Sequence, residues 1–447
     1  MACDLASELP ASDGSTANTP APTRDAESNA PREAGPPADA ETAEAAPPET
    51  KSDSGVTSDA GKPDRGARES GAALDASPES APDAAVGQAD AGGDGALRAL
   101  PFPPLETAGV PLTAPDRTWT YFEFSDTKCR DGSPAGVSIN LNKASKKLMI
   151  YLEGAAYCFE GFTCLLNAEK VEDGLYNSAK EGPKAGIFDL DNAQNPVRDW
   201  NIVYVPNCSG DGHGGTQMKA TDVPDGPRGQ YFVGQLNLQR FLQRIVPSFP
   251  DVSDVLLTGI SSGGFGVLQN LVLVQRAFPA LRVRYVNDSN PPLSKTVVAE
   301  CLQEKMRTLW GLDQGALAYC SDSCAKKNDY LEDNAVFLAK LFADRPGGYI
   351  EALNDSLMIN MFGLGNNNCT GTFLLDSVPA DSFRAALLTY RDKLKSLPHY
   401  GTFFPEATDH TWLSNDAFYT IRAGGISLVD WFGKIARGEA PGHAGPP

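Results

Sequence analysis

Aromatic side chains are missing from the first hundred residues, which contain no Phe, Tyr or Trp. That stretch is Ala-, Pro-, Ser- and Gly-rich and carries twelve of the chain's nineteen net negative charges. A segment of this composition cannot bury enough apolar area to offset its ordering entropy. Residues 1–100 are therefore expected to be a disordered acidic tether, with one globular domain over 101–440. All 33 Phe and Tyr residues and all five Trp lie in that second part, enough for one large core. The chain also lacks a basic stripe, which argues against nucleic acid because phosphate binding draws on clustered Lys and Arg. No apolar run of 18 residues exists, so no transmembrane helix is expected. Histidines number only four: His213, His399, His410 and His443.

Nine cysteines are present, without a CxxC pair or a histidine at ligand spacing. A metal site is thus disfavoured against disulfides. Eight lie in the globular part, and the short loops Cys158–Cys164 and Cys320–Cys324 suit local bridges. Disulfides imply an oxidising compartment, hence a secreted or cell-surface location. Cys3, in MACDL ahead of a long polar stretch, is similar to the lipidated cysteine at the start of a mature bacterial lipoprotein. The charged and apolar regions of a signal peptide do not precede it, so the rival reading is an incidental cysteine. In the first reading the only membrane link is a lipid anchor at Cys3, with the acidic segment as spacer.

The globular part alternates β-rich runs with helical patterns. Runs at Lys147–Leu152, Asn201–Val205, Val255–Thr258, Leu281–Val286, Tyr349–Leu353 and Tyr400–Phe404 each lead into a loop of unusual residues. Helical patterns cover Gln235–Phe249, Phe265–Phe278, Asp381–Leu397 and Ser427–Arg437. The alternation predicts an α/β fold, a mostly parallel central sheet with helices on both faces. In such sheets ligands bind at the carboxyl ends of the strands, where the unusual residues fall.

The segment DVLLTGISSGGFGVLQN is the most informative of these. A strand, a Gly-Ile-Ser-Ser-Gly-Gly turn and a helix form the setting of a nucleophile elbow, with Ser261 at its centre. Gly259 and Gly263 are required small, and the helix aims its first N–H groups at a developing oxyanion. The bland alternative is a Gly/Ser-rich turn. A serine nucleophile needs a base, and the base an orienting acid. His410, after a strand and anchored by Trp412 and Leu413, is the best base. His399 precedes a strand, and His443 sits in a Gly/Pro-rich tail and is expected to be unfixed. The acid comes from a strand end: Asp355 in ALNDSLM is favoured over Asp288 in YVNDSNPP, and Asp409 adjoins His410 too closely to reach its Nδ1. The oxyanion hole is expected from small residues at Gly154-Ala155-Ala156 and from the amide of Ser262. Gly154, Tyr157, Asp211 and His213 are candidate substrate contacts. For His213, in the Gly-rich stretch SGDGHGG, an incidental loop histidine is an equally good reading.

Together these residues resemble the pectin acetylesterase family over roughly residues 110–435. The family's LEGGGWC loop is similar to LEGAAYC from Leu152 to Cys158, and its Gly-x-Ser-Ala-Gly-Gly elbow to Gly259–Gly264. Its Cys-Thr/Ser-Gly-Asp-x-His stretch resembles Cys208–His213, its acid segment Leu353–Ser356, and its late histidine His410 in His-Thr-Trp-Leu. The resemblance implies an α/β-hydrolase-like fold with Ser261 as nucleophile, Asp355 as acid and His410 as base. It also implies oxyanion donors at Ala155, Ala156 and Ser262. Two departures stand out: Ala155-Ala156-Tyr157 replaces Gly-Gly-Trp, and Ser262 replaces Ala. Both bear on the substrate more than on the reaction type. The expectation is a monomeric serine carboxylesterase that needs no metal or organic cofactor. Its substrate would be an acyl ester, acetyl for preference, of pectin or another acetylated polysaccharide. The alternatives are a lipid or protein deacylase, a thioesterase or a peptidase using the same triad. A non-catalytic surface binding module and a purely structural surface protein are the remaining rivals.

Overall fold

The computed structural model describes residues 100–171, 177–324 and 329–446. The acidic segment and Cys3, with the tether and anchor expected of them, lie outside the described residues.

Eight strands build the central sheet. In chain order they are β1 (Thr120–Phe124), β2 (Ala135–Asn140), β3 (Lys147–Leu152), β4 (Asn201–Val205), β7 (Asp254–Ile260), β8 (Arg284–Asp288), β9 (Gly347–Ile350) and β10 (Tyr400–Phe403). β5 (Gln217–Thr221) and β6 (Gln230–Phe232) form a separate hairpin. The sheet order is β1-β2-β4-β3-β7-β8-β9-β10. Every pairing from β4 to β10 is parallel, while β1 and β2 form an antiparallel edge. The expected α/β architecture with a mostly parallel sheet is the one observed. β3, β4 and β7 are buried along almost their whole length, the pattern of strands covered on both faces.

The order holds one topological switch. From β3 the chain moves outward to β4, then returns to the other side of β3 as β7, with Leu152 paired to Gly259. The loops after β3 and β7 therefore leave the sheet side by side, the place where open α/β sheets bind ligands. The helix Ser262–Ala277 follows β7 and buries every residue except Arg276. It packs on β7 and β8 and against the helix Gly234–Ser248.

All eight cysteines of the globular part are paired: Cys129–Cys208, Cys158–Cys164, Cys301–Cys369 and Cys320–Cys324. Among the described residues no group of His, Cys, Asp and Glu is arranged to hold a metal ion. Nor is any helix there long and apolar enough to cross a membrane. The C-terminal tail is better fixed than its composition implies. Ala444 exchanges backbone hydrogen bonds with Thr402 and Phe404, and His443 Nδ1 lies 3.0 Å from the Thr402 hydroxyl. The fold thus runs past residue 440, because the tail covers the open edge of β10.

Four bridges pair all eight cysteines of the described residues. Thiol titration of denatured protein is expected to find eight more reactive groups after reduction than before it. Replacing Cys129 and Cys208 by alanine should cost roughly 2–4 kcal/mol of stability in denaturant titration, since that bridge closes a long loop.

Candidate active site

Ser261 sits at the turn between β7 and its helix with φ 52° and ψ −124°. A non-glycine residue in this region carries about 1–3 kcal/mol of backbone strain, which the surroundings must over-determine. They do so by close backbone approach. A Cβ on Gly263 would stand 2.1 Å from the Leu152 carbonyl oxygen, and one on Gly259 would stand 2.5 Å from that of Gly263. The Ser261 amide donates to the Asp288 carbonyl at 2.7 Å, and its own carbonyl accepts from Phe265 at 3.2 Å. The side chain is left half-exposed at the carboxyl edge of the sheet.

Two strands away, β9 leads to Asp355, which is fully buried. Asp355 caps the helix Ser356–Gly363: its Oδ1 accepts from the Met358 amide at 2.9 Å. Its Oδ2 lies 2.6 Å from His410 Nδ1. A carboxylate there selects the tautomer with the proton on Nδ1 and leaves Nε2 with a lone pair. His410 Nε2 is buried without a hydrogen-bond partner, an orphan acceptor that suits a base.

Asp288, the rival acid, has a different task. Its Oδ2 accepts the amides of Trp412 at 2.9 Å and Leu413 at 2.8 Å, and its Oδ1 accepts the Ser289 hydroxyl at 2.8 Å. Ser289 Oγ in turn accepts the Thr411 amide at 3.0 Å. Asp288 therefore clamps the loop that carries His410, while its own carbonyl holds Ser261. Burial pushes its carboxyl up, against the lowering effect of those amides. Asp409 is exposed and takes no part.

The loop after β3 lies against the elbow. A Cβ on Gly154 would stand 2.5 Å from the Ile260 carbonyl and 3.1 Å from Ser261 Cβ. The Ala155 amide donates to Ser262 Oγ at 2.8 Å, and Asn207 Nδ2 donates to the same oxygen at 2.8 Å. The Ala155 N–H, expected as an oxyanion donor, is bonded to Ser262 Oγ in this structure. Ser262, first residue of its helix, keeps an amide without an intrahelical acceptor. The Ala156 carbonyl accepts from Asn167 Nδ2 at 2.9 Å, and Cys158 is pinned by its bridge to Cys164 and by the Gly210 carbonyl.

Asp211, His213 and Tyr157, expected as substrate contacts, are all buried. Asp211 accepts the Ser209 hydroxyl and the Gly234 amide and is fully buried; burial pushes its carboxyl up to about 6. His213, also buried, holds the Glu153 carbonyl at 2.9 Å through Nε2, and desolvation lowers it to about 4, keeping it neutral. Asp211 and His213 Nε2 thus hold groups of the surrounding loops in place. Tyr157 bonds its hydroxyl to Asn290 and packs edge-on against Phe265, 7% exposed. It lines a cavity of about 20 Å³ together with Phe265, Asn290, Met358, Met361 and Phe362.

Sequence reasoning missed Glu153 and Asn207. Glu153 is buried and accepts from the Tyr204 hydroxyl and the Asn207 amide. Asn207 carries the support on to Ser262 Oγ. Their signal was weak: polar residues within two positions of the ends of two mainly apolar strands. Burial pushes the Glu153 carboxyl up to about 8. A carboxyl raised on folding favours the folded state below its unfolded value, and that contribution disappears as pH climbs through the folded one. Wild-type thermal midpoints are expected to fall between about pH 5 and pH 8, and Glu153→Gln should flatten part of that fall. An unchanged slope in the variant would contradict the assignment.

The pectinacetylesterase family profile matches residues 120–340. Curated relatives include notum1', a palmitoleoyl-protein carboxylesterase of Xenopus laevis. It is 31% identical over 172 residues, which is 36% of this chain and 34% of that protein. The palmitoleoyl-protein carboxylesterase NOTUM of Drosophila melanogaster is 30% identical over 213 residues, 44% of this chain and 31% of that protein. The chain thus spans about a third of the length of the curated relatives it matches. A solved structure described as the Wnt deacylase Notum from Drosophila superposes with a TM-score of 0.53 at 22% identity. It covers 71% of this chain and 92% of that one. At that identity the likeness speaks for the fold, which is the same α/β arrangement. The profile match runs from β1 through the elbow and ends before β9, so the likeness to the pectinacetylesterase family covers slightly under half of the chain.

Proposed function

We propose that this protein is a serine carboxylesterase of short acyl esters, with Ser261 as nucleophile, His410 as base and Asp355 as acid. The observation that carries the reading is the Asp355–His410 contact of 2.6 Å, with His410 Nε2 left unpartnered and Asp288 bonded both to the Ser261 amide and to the loop that carries His410. In the mechanism, His410 Nε2 takes the Ser261 proton as Oγ attacks the ester carbonyl. The ion pair with Asp355 stabilises the imidazolium, and the alcohol leaves with the proton from Nε2. Water repeats the sequence on the acyl-enzyme. The Ser262 and Ala156 amides receive the oxyanion, and such donors are worth about 3–4 kcal/mol of barrier each. The Ala155 amide, held by Ser262 Oγ, fixes the loop.

The acyl group is argued from the cavity that Tyr157 and Phe265 line, taken here as the acyl pocket. Its walls include Phe265, four residues after Ser261, and Met358, three after Asp355. About 20 Å³ is room for one water-sized group, the scale of an acetyl methyl. Tyr157, whose hydroxyl is bonded to Asn290, closes it further. A long acyl chain would have to displace the side chains of Met358, Met361 and Phe362. The relatives' names, palmitoleoyl-protein carboxylesterases, favour the opposite reading of a lipid deacylase. An acetylated polysaccharide is the proposed alcohol partner, on the strength of the family name alone.

A p-nitrophenyl ester series from acetate to palmitate separates the two. The expected result is kcat/KM falling by about tenfold or more beyond butyrate, with all activity lost in Ser261→Ala. A rising series would support the deacylase reading, and an active Ser261→Ala would remove the nucleophile assignment. Asp355→Asn is expected to lower kcat by roughly 10⁴, since the imidazole loses its tautomer. Asp288→Asn should act more mildly on kcat and lower the thermal midpoint, because one amide oxygen replaces a carboxylate that accepts three donors. Equal kcat losses would return Asp288 to the acid role.

A further inference from the structure

Three carboxyl groups are packed together behind the candidate site, and each is fully buried: Asp288, Glu351 and Asp355. The tasks of Asp288 and Asp355 leave Glu351 without one. It comes directly after β9, and its amide donates to the Phe403 carbonyl at 3.1 Å, so the sheet fixes its position. Its Oε2 accepts the Tyr349 hydroxyl at 2.6 Å. Its Oε1 is buried with no donor. For an ionised carboxylate this is a poor site, because a buried acceptor left unmade costs its desolvation. A protonated carboxyl reverses the requirement: it needs an acceptor instead of a donor.

That acceptor is at hand. The Glu351 side chain is in hydrogen-bond contact with that of Asp355. Two touching carboxylates repel, whereas one proton shared between them makes a strong bond and a single charge. The question is which partner keeps the charge, and the surroundings decide it. Asp355 is supported by the Met358 amide and by His410 Nδ1–H, both donors that favour an anion. Glu351 has the Tyr349 hydroxyl alone. Burial, the charge on Asp355 and, more weakly, that on Asp288 all push the Glu351 carboxyl well above its ordinary range. The groups facing it are Tyr349, Asp355 and Asp288, with His410 beyond Asp355.

We propose that Glu351 is a neutral carboxylic acid whose O–H donates to Asp355, holding Asp355 as the ionised partner and fixing the oxygen it presents to His410. Glu351 is thus a positioning residue that acts through Asp355 and touches no substrate. Its effect on turnover rests on the reading of Asp355 and His410 as acid and base. The proton itself does not.

The test therefore has one arm that requires no activity. Difference infrared spectroscopy at neutral pH, wild type minus Glu351→Gln, should show one carboxylic-acid C=O stretching band lost in the variant. Glu153→Gln identifies the band of Glu153, another carboxyl that burial pushes up. No lost band would overturn the proposal whatever the catalytic residues prove to be. The second arm is the pH profile of kcat/KM. If Glu351 is neutral, Glu351→Gln leaves the acid limb within ~0.3 pH unit of wild type. An ionised Glu351 would make that limb drop by about one unit on loss of the charge, which would overturn the proposal. Glu351→Leu removes the donor and should lower kcat about tenfold or more at nearly constant KM, with Glu351→Gln recovering most of the loss. A fully active Glu351→Leu would count against the positioning role even with the band present.

Discussion

One buried aspartate joins the two halves of the candidate site. Asp288 receives the Ser261 amide on its backbone carbonyl and the Trp412 and Leu413 amides on one side-chain oxygen. The strained elbow on β7 and the histidine loop after β10 are distant in sequence and have no strand pairing in common. Asp288, at the end of β8, is the group both lean on. Its position is dictated by the parallel register that sets Ile260 opposite Asp288 and Asp288 opposite Ile350. A carboxylate accepting several backbone donors is a strong anchor in a low-dielectric interior. The geometry of the site thus descends from sheet register through one side chain.

A second set of polar contacts steadies the loop after β3. Glu153, Asn207, Ser262 and the Ala155 amide form a continuous buried chain. In this chain Ser262 stands where the family pattern has alanine, and Ala155-Ala156 stand where it has glycines. The hydroxyl supplies a fixed acceptor for a loop whose backbone is less free than a glycine pair would be. Of these departures, Tyr157 lines the small cavity with its hydroxyl bonded to Asn290. A narrow cavity is what the short-acyl reading draws on.

Much of the fold is legible in the sequence. β3 and β4 fall on the apolar runs, because parallel central strands appear as uninterrupted apolar stretches. The elbow is legible because close backbone approach demands glycine at fixed offsets from Ser261. The edge strands β1 and β2 are not. β2 opens Ala-Gly and alternates its Val and Ile with Ser and Asn, while β1, TYFEF, has the aromatic enrichment of a strand and lacks the longer apolar run of β3. The sequence favours Asp355 over Asp288 by a narrow margin for a simple reason: both sit in Asn-Asp-Ser at a strand end. Their downstream residues differ. Asp288 precedes Pro291-Pro292, so its carboxyl stays free to bond a distant loop, whereas Asp355 opens a helix and is turned toward His410. Asp211 and His213 mislead because a Gly-rich stretch with polar residues reads as a ligand loop, and only packing reveals that its polar atoms serve its own backbone. The engaged Ala155 amide is equally invisible, since its partner lies more than a hundred residues away.

The proposed chemistry stands or falls on Ser261 carrying the acyl group during turnover. Rapid acid quench of the enzyme mixed with excess p-nitrophenyl acetate, followed by peptide mass mapping, measures this directly. One acetyl group per chain is expected, on the peptide holding Ser261, formed in a burst and lost with turnover. Steady hydrolysis without any acetylated peptide, or with the label on another residue, would contradict it.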